Sequence, residues 1–342
     1  MNYKLFGRTG LRVSELCLGT MTFGEEWGWG SSKAESRAIF DEFANAGGNF
    51  IDTADGYTEG TSEKMVGEFI AAERSRFVVA TKYSFNQRAG DPNAGGNHRK
   101  HMLQALEGSL QRLRTDYVDI YWMHAWDRLT PIEEVMRTID DATRAGKVLY
   151  AGVSNTPAWY VSSANTMAEL RGWTRFSGIQ IEYSLIERTP EREIIPMANA
   201  LELAITAWSP LASGLLSGKY AKGAPVSEAK RLEQTNFTEL NERNLGVAET
   251  VGKVAAEIGR PSAQVALSWL RQRHNAIPII GARKLSQFKE NLACLDLKLN
   301  AEQIAVLDKA SAIPMGYPHD FLHRQTVHEY LHGGVFERIE TN

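Results

Sequence analysis

The chain has 342 residues, 43% hydrophobic and 23% charged, with a formal net charge of −3. That is enough apolar material for a sizeable core, and the near-neutral balance leaves no electrostatic footprint for nucleic acid or an anionic membrane. No apolar run reaches the roughly 20 residues that span a bilayer.

The N-terminus, Met1-Asn2-Tyr3-Lys4-Leu5-Phe6-Gly7, carries no apolar signal core. Cys17 and Cys294 each stand alone in an apolar setting, so two buried thiols and a cytoplasmic location are expected. In chain order, residues 3–14 read as a small hairpin turning at Gly7-Arg8-Thr9-Gly10, placed to plug the bottom of a barrel. Strands are predicted at 16–19, 50–53, 77–82, 118–124, 148–154, 178–183, 204–209 and 277–281. These are continuous apolar runs, as in parallel strands covered on both faces.

Amphipathic stretches separate the strands. The first helix, 33–46, has Ser31-Ser32 as caps and Gly47-Gly48 as a stop. Helices follow at 61–73, at 100–113 with Leu103, Leu106, Leu110 and Leu113 at helical spacing, and at 131–145 between Pro131 and Gly146. Further helices are expected near 157–170, 190–203 and 244–258. Repeated strand–helix alternation without a Pro/Ser-rich linker predicts a single α/β domain, a closed (β/α)8 TIM barrel over about residues 1–312, with a tail at 313–342. An open doubly wound sheet would favour a G-x-G-x-x-G turn, and Gly28-Trp29-Gly30 lacks the third glycine.

In such a barrel the C-terminal strand ends open onto one face and carry the chemistry. Asp52 ends the second predicted strand, Tyr57 follows five residues later, Lys82 ends the third strand and His124 the fourth. Hydride reaching a carbonyl carbon leaves negative charge on oxygen, which needs a proton donor and nearby positive polarisation. A free phenol has a pKa of about 10, too high for ready donation at neutral pH. A lysine ammonium beside it lowers that value, an aspartate holds the lysine, and a histidine orients the substrate oxygen. Singly, an Asp, Lys or His at a strand end is more often a cap or an ion-pair partner; together, at successive strand ends, they read as a site.

The run Gly48-Asn49-Phe50-Ile51-Asp52-Thr53-Ala54-Asp55-Gly56-Tyr57, continued by Ser62-Glu63-Lys64-Met65-Val66-Gly67, resembles the signature of the aldo-keto reductase superfamily. The likeness extends from the hairpin to about residue 312. Residues 91–98 and Trp126-Asp127 are similar to the bacterial and fungal branch near aryl-alcohol dehydrogenases, with potassium-channel β-subunits more distant. The resemblance implies a catalytic tetrad of Asp52, Tyr57, Lys82 and His124, with Tyr57 as general acid, and an NADP(H) cofactor.

It further implies that Gly19, Thr20 and Met21 run under the nicotinamide ribose beside Asp52, and that Ser154, Asn155 and Gln180 hydrogen-bond the carboxamide. Trp208 stands where the family usually stacks a tyrosine on the nicotinamide, and an indole stacks as well. Ser209, Pro210 and Leu211 continue that motif, and Ser213, Gly214, Leu215 and Lys219 match the loop over the pyrophosphate. That loop is no P-loop, because one residue of the spacing is missing and Tyr220 replaces the Ser/Thr. Gly281, Ala282, Arg283, Gln287, Glu290 and Asn291 match the adenosine end, with Arg283 placed for a 2′-phosphate. Gln287 stands where many NADPH-specific members carry arginine.

Trp27, Trp29, Phe85 and Trp126, with Tyr57 and His124, predict a pocket for a flat, apolar carbonyl or alcohol substrate. The string His328-Glu329-Tyr330-Leu331-His332 imitates a zinc-protease helix, but lacks the continuation that supplies a third ligand, so no metal is expected. A terminal helix contacting a second copy of the chain or capping the site is the expected role of this tail. Two rival readings remain open: a cofactor-sensing regulatory module resembling channel β-subunits, with little turnover, and an unrelated barrel lyase using Lys82 as a Schiff-base amine.

Overall fold

Eight short strands, β3 (Cys17–Gly19), β4 (Phe50–Asp52), β5 (Val78–Tyr83), β6 (Val118–Met123), β7 (Val148–Ser154), β8 (Phe176–Glu182), β9 (Ala204–Trp208) and β10 (Ile277–Ile280), form a parallel barrel closed by pairing of β10 with β3. This computed structural model describes residues 1–219 and 238–340; Tyr220 and the last two positions of the predicted tail lie outside the described residues. Period-two alternation sorts the side chains of each strand. Phe50, Val78, Ala80, Ile120, Trp122 and Ile277 fill the barrel interior. Ile51, Val79, Tyr121 and Met123 point outward, under the helices. Burial on both faces is why the strands are apolar throughout.

The hairpin forms as expected, with β1 (Tyr3–Leu5) antiparallel to β2 (Arg12–Ser14). Its turn drives Phe6 into the barrel bottom, where the ring lies 6.1 Å from Phe50 and 6.0 Å from Trp122 in edge-on contacts. Only glycine fits at two neighbouring positions. A Cβ at Gly178 would come within 2.4 Å of the Phe6 ring, and Gly7, at φ +59°, would place one 2.3 Å from the Ser177 carbonyl. The plug leaves the opposite end of the interior row as the open face.

Among the described residues up to the tail, the helices are α1 (Lys33–Asn45), α2 (Thr61–Ile70), α3 (Arg99–Leu113), α4 (Ile132–Arg144), α5 (Ala158–Arg171), α6 (Ile194–Ala200), α7 (Glu242–Glu257), α8 (Ser262–Arg271), α9 (Leu285–Leu292) and α10 (Ala301–Ala310). Ser32 caps α1 by accepting from the Glu35 amide at 3.3 Å. The stripe of α3 is Met102, Leu106, Leu110 and Leu113, whereas Leu103 is only half-buried. Two predicted spans were too long: the second helix stops at Ile70 before a 3₁₀ turn, and 190–203 shrinks to α6 behind the 3₁₀ turn Thr189–Glu191.

Helices α8, α9 and α10 escaped the sequence reading. In α8 the cause is plain: Ala263 through Leu270 are all buried, so no polar face marks a period. The tail carries two short helices, α11 (His319–Leu322) and α12 (Gln325–His332), and leaves Tyr317 and Tyr330 exposed. Among the described residues no helix is long and apolar enough to cross a membrane.

Candidate active site

Strand parity assembles the site. Asp52 follows inward Phe50 by two residues, Lys82 follows inward Ala80, and His124 follows inward Trp122. Register then sets them side by side: Asp52 pairs with Ala80, and Lys82 with Trp122. Tyr57 comes from the turn after β4, which continues through Thr58 and Glu59 at φ +45° and +55°. Such left-handed backbone is strained for residues with side chains, and the Thr58 hydroxyl holds it by donating to the Phe23 carbonyl at 2.6 Å.

Lys82 is completely buried and makes three contacts through one ammonium. It donates to the Asp52 carboxylate, to the Thr53 carbonyl at 2.9 Å and to the Tyr57 hydroxyl at 3.0 Å. Gln180 of β8 donates to the other oxygen of Asp52 at 2.9 Å. Burial alone would lower the Lys82 pKa, but Asp52 and Tyr57 more than reverse this, so the ammonium is held above its usual range. An amine locked in its charged form is a poor Schiff-base nucleophile, which argues against the lyase reading. Burial also raises Asp52, and Lys82 opposes that rise.

Tyr57 departs from expectation in one respect. Burial raises its pKa by more than Lys82 lowers it, so the resting phenol lies above its ordinary value. It is kept protonated, and Lys82 limits the rise. His124 is pushed far down by burial and then by Lys82, which makes it a neutral imidazole at ordinary pH. Its ring lies 6.1 Å from Tyr57 and 4.3 Å from Phe85.

These residues border a cleft of about 930 Å³. Of the cofactor positions read from sequence, Gly19, Met21, Asp52, Asn155, Gln180, Trp208, Ser209, Pro210, Leu211, Ser213, Gly214 and Lys219 line it. So do Gly281, Ala282, Arg283, Gln287, Glu290 and Asn291 at its far end. Three others do not. The Thr20 hydroxyl donates to the Asp52 carbonyl at 3.0 Å, the Ser154 hydroxyl to the Gln180 carbonyl at 2.8 Å, and Leu215 is core. All three are tied into the framework behind the cleft wall.

On the substrate side, Trp27, Tyr57, Phe85 and His124 line the cleft, and Trp29 and Trp126 do not. Trp29 packs on Trp27 at 5.5 Å, and Trp126 packs on Trp159 and Tyr160. The sequence reading missed Glu59, Asn86 and Gln87, and Ala263 from unpredicted α8. Asn86 and Gln87 adjoin Phe85, and that adjacency was the available signal. On α12 the His328 and His332 rings lie 5.0 Å apart and both pack against Phe336, at 4.2 and 4.6 Å. No third metal ligand joins them among the described residues.

The cleft suits an elongated anionic dinucleotide by its own chemistry. The loop at its centre runs left-handed through Ser209, Ala212, Ser213 and Gly214, with φ between +48° and +97°. Lys219 and Arg283 bring positive charge to the wall, and the Trp208 indole N–H is held by Asn155 Oδ1 at 3.2 Å. The sequence profile of the aldo/keto reductase family matches residues 15–312. The chain belongs to the aldo/keto reductase family.

This aldo/keto reductase is 38% identical over 326 residues to an aryl-alcohol dehydrogenase of Pestalotiopsis microspora, covering 91% of this chain and 82% of that one. An NADP(+) aryl-alcohol dehydrogenase of Phanerodontia chrysosporium is 39% identical over 329 residues, covering 91% and 86%. A norsolorinic acid reductase of Aspergillus flavus is 34% identical over 337 residues, covering 95% and 85%. The family assignment makes the chain an oxidoreductase of carbonyl compounds.

Proposed function

We propose that this aldo/keto reductase uses NADP(H) to reduce aldehydes or ketones to alcohols, with Tyr57 as general acid. The observation that carries the reading is the Lys82 ammonium, bridging Asp52 and the Tyr57 hydroxyl at the cleft wall. A bound nicotinamide supplies the hydride. Trp208, Asn155 and Gln180 would hold its ring end, the 209–219 loop its pyrophosphate, and Arg283, Gln287 and Asn291 its adenosine end.

The chain's own residues handle the proton and the charge. Tyr57 keeps its proton at rest because it is buried. As negative charge grows on the substrate oxygen, the phenol releases that proton towards it, and the fixed ammonium of Lys82 stabilises the phenolate left behind. Neutral His124 orients the same oxygen by hydrogen bonding without competing as a cation. Asp52, braced by Gln180, keeps Lys82 charged and aimed. Trp27 and Phe85 offer apolar faces that suit an aromatic or otherwise flat carbonyl, in keeping with relatives named for aryl alcohols. The direct test is a panel of aromatic and aliphatic aldehydes followed by NADPH absorbance. Absence of turnover on every member, with NADPH tightly retained, would replace this reading with a cofactor-sensing one.

Cofactor choice gives a second test. Tertiary folding brings Glu35 to the N-terminus of α9, where its carboxylate accepts from the Leu285 amide. That carboxylate takes the first amide of the helix end, and Arg283, two residues before it on the cleft wall, brings the positive charge that a 2′-phosphate would use. A charge-assisted guanidinium–phosphate contact is worth on the order of 1.5–3 kcal/mol, roughly 10–150-fold in affinity. Arg283→Ala should weaken NADPH by that factor and leave NADH almost unchanged in a tryptophan-fluorescence titration. Equal affinities in the unaltered protein would exclude the preference.

A further inference from the structure

We propose that Asp55 is a positioning residue for the Tyr57 proton, a buried carboxylate whose ionisation opposes the negative charge that Tyr57 acquires on giving that proton up. The proposal rests on the reading of Tyr57 as general acid. Asp55 sits in the turn between Asp52 and Tyr57. Its amide donates to the Lys82 carbonyl at 3.2 Å, and the Tyr57 amide donates to the Ala54 carbonyl at 3.2 Å, so the turn is pinned to β5. The side chain is 3% exposed, and neither carboxylate oxygen has a hydrogen-bond partner. An orphaned, buried carboxyl favours its neutral form, because the anion would lose hydration without compensation.

The groups packed around it explain why no partner comes. Glu63 of α2 is fully buried and takes the Arg112 guanidinium of α3 at 2.6 Å, while its other oxygen accepts from Thr81. Lys82 of β5 is committed to Asp52, Thr53 and Tyr57. The Tyr121 hydroxyl of β6 donates to the Met102 carbonyl at 3.2 Å. The Gly56 amide favours the anion slightly but completes no hydrogen bond. Burial, and then the like charge of Glu63, push the Asp55 carboxyl up to about 7, against weaker pulls from Arg112 and Lys82.

The sign follows. Below neutrality Asp55 is uncharged and Tyr57 feels only the Asp52–Lys82 pair. Above it, the Asp55 anion makes the phenolate harder to form, so Tyr57 keeps its proton to higher pH. Asp55→Asn removes that charge while keeping the size of the side chain. The basic limb of kcat/KM for carbonyl reduction should then move down by about one pH unit, while the profiles converge below about pH 6. An unmoved basic limb would overturn the proposal, and so would an equal loss at every pH, which marks a merely structural role. Turnover that survives Tyr57→Phe would instead overturn the parent reading, so the two failures are distinguishable.

Should Asp55→Asn not fold, Glu63→Gln tests the same charge. It removes the like charge and frees Arg112, so Asp55 ionises earlier. The neutral-range inflection of the rate profile should then fall by about one pH unit. An inflection that stays in place would refute the role.

Discussion

Tyr57→Phe should lose roughly 10²–10⁴-fold in turnover, the share that general acid catalysis contributes, with NADPH affinity nearly unchanged. The geometry makes this a clean removal. The ring stays packed edge-on against Trp27 at 6.5 Å and His124 at 6.1 Å, so the cleft keeps its shape. Lys82 loses one acceptor but keeps Asp52 and the Thr53 carbonyl. What disappears is the transferable proton and the oxygen that carries the charge afterwards. Steady-state reduction of an aromatic aldehyde, paired with a fluorescence titration of NADPH, separates the two quantities. A variant that reduces at near-native rate would remove Tyr57 from the mechanism.

Lys82→Met should cost both activity and stability. The ammonium is fully buried and, among the described residues, is the one cation paired with Asp52, whose other oxygen accepts from Gln180. Removing one member of a buried ion pair leaves the other charge uncompensated, at about 3–5 kcal/mol. Asp52 would then take up a proton, because burial already drives its carboxyl upward and the opposing charge is gone. Tyr57 would rise further for the same reason, losing the group that lowers it. Turnover should fall at least as far as in Tyr57→Phe, and thermal unfolding should show the lost stability. Adding Asp52→Asn should recover much of the stability and none of the turnover, since an amide needs neither a counter-ion nor an added proton there but restores no cation. Product formation with only a shifted pH optimum would demote Lys82 to a modulator.

Much of this protein was legible in its residues, for identifiable reasons. Continuous apolar runs announce strands buried on both faces, and Gly, Pro and Ser at their boundaries mark where helices start and stop. Asp52, Lys82 and His124 could be read as one site because each is the polar residue that ends an apolar strand run, and in a barrel those ends open onto one face. That each also points inward became visible only in the fold, where it lies two residues beyond a core residue of the barrel interior.

Tertiary structure decided whatever depends on contacts between distant segments. Helix α8 left no amphipathic trace because its middle is buried all round. Thr20 and Ser154 donate to the Asp52 and Gln180 carbonyls and Leu215 packs in the core, contacts that their motifs do not announce. Glu35 reaches the start of α9 from 250 residues away, and no local pattern records that. The pKa of Tyr57 and the isolation of Asp55 are likewise properties of the fold. Lysine beside tyrosine predicts a lowered phenol, but burial depth decides the net sign. Asp55 lacks a partner only because Arg112 and Lys82 are already taken. Where an apolar run ends is a local property, whereas desolvation and competition for partners are set by everything that packs around a group.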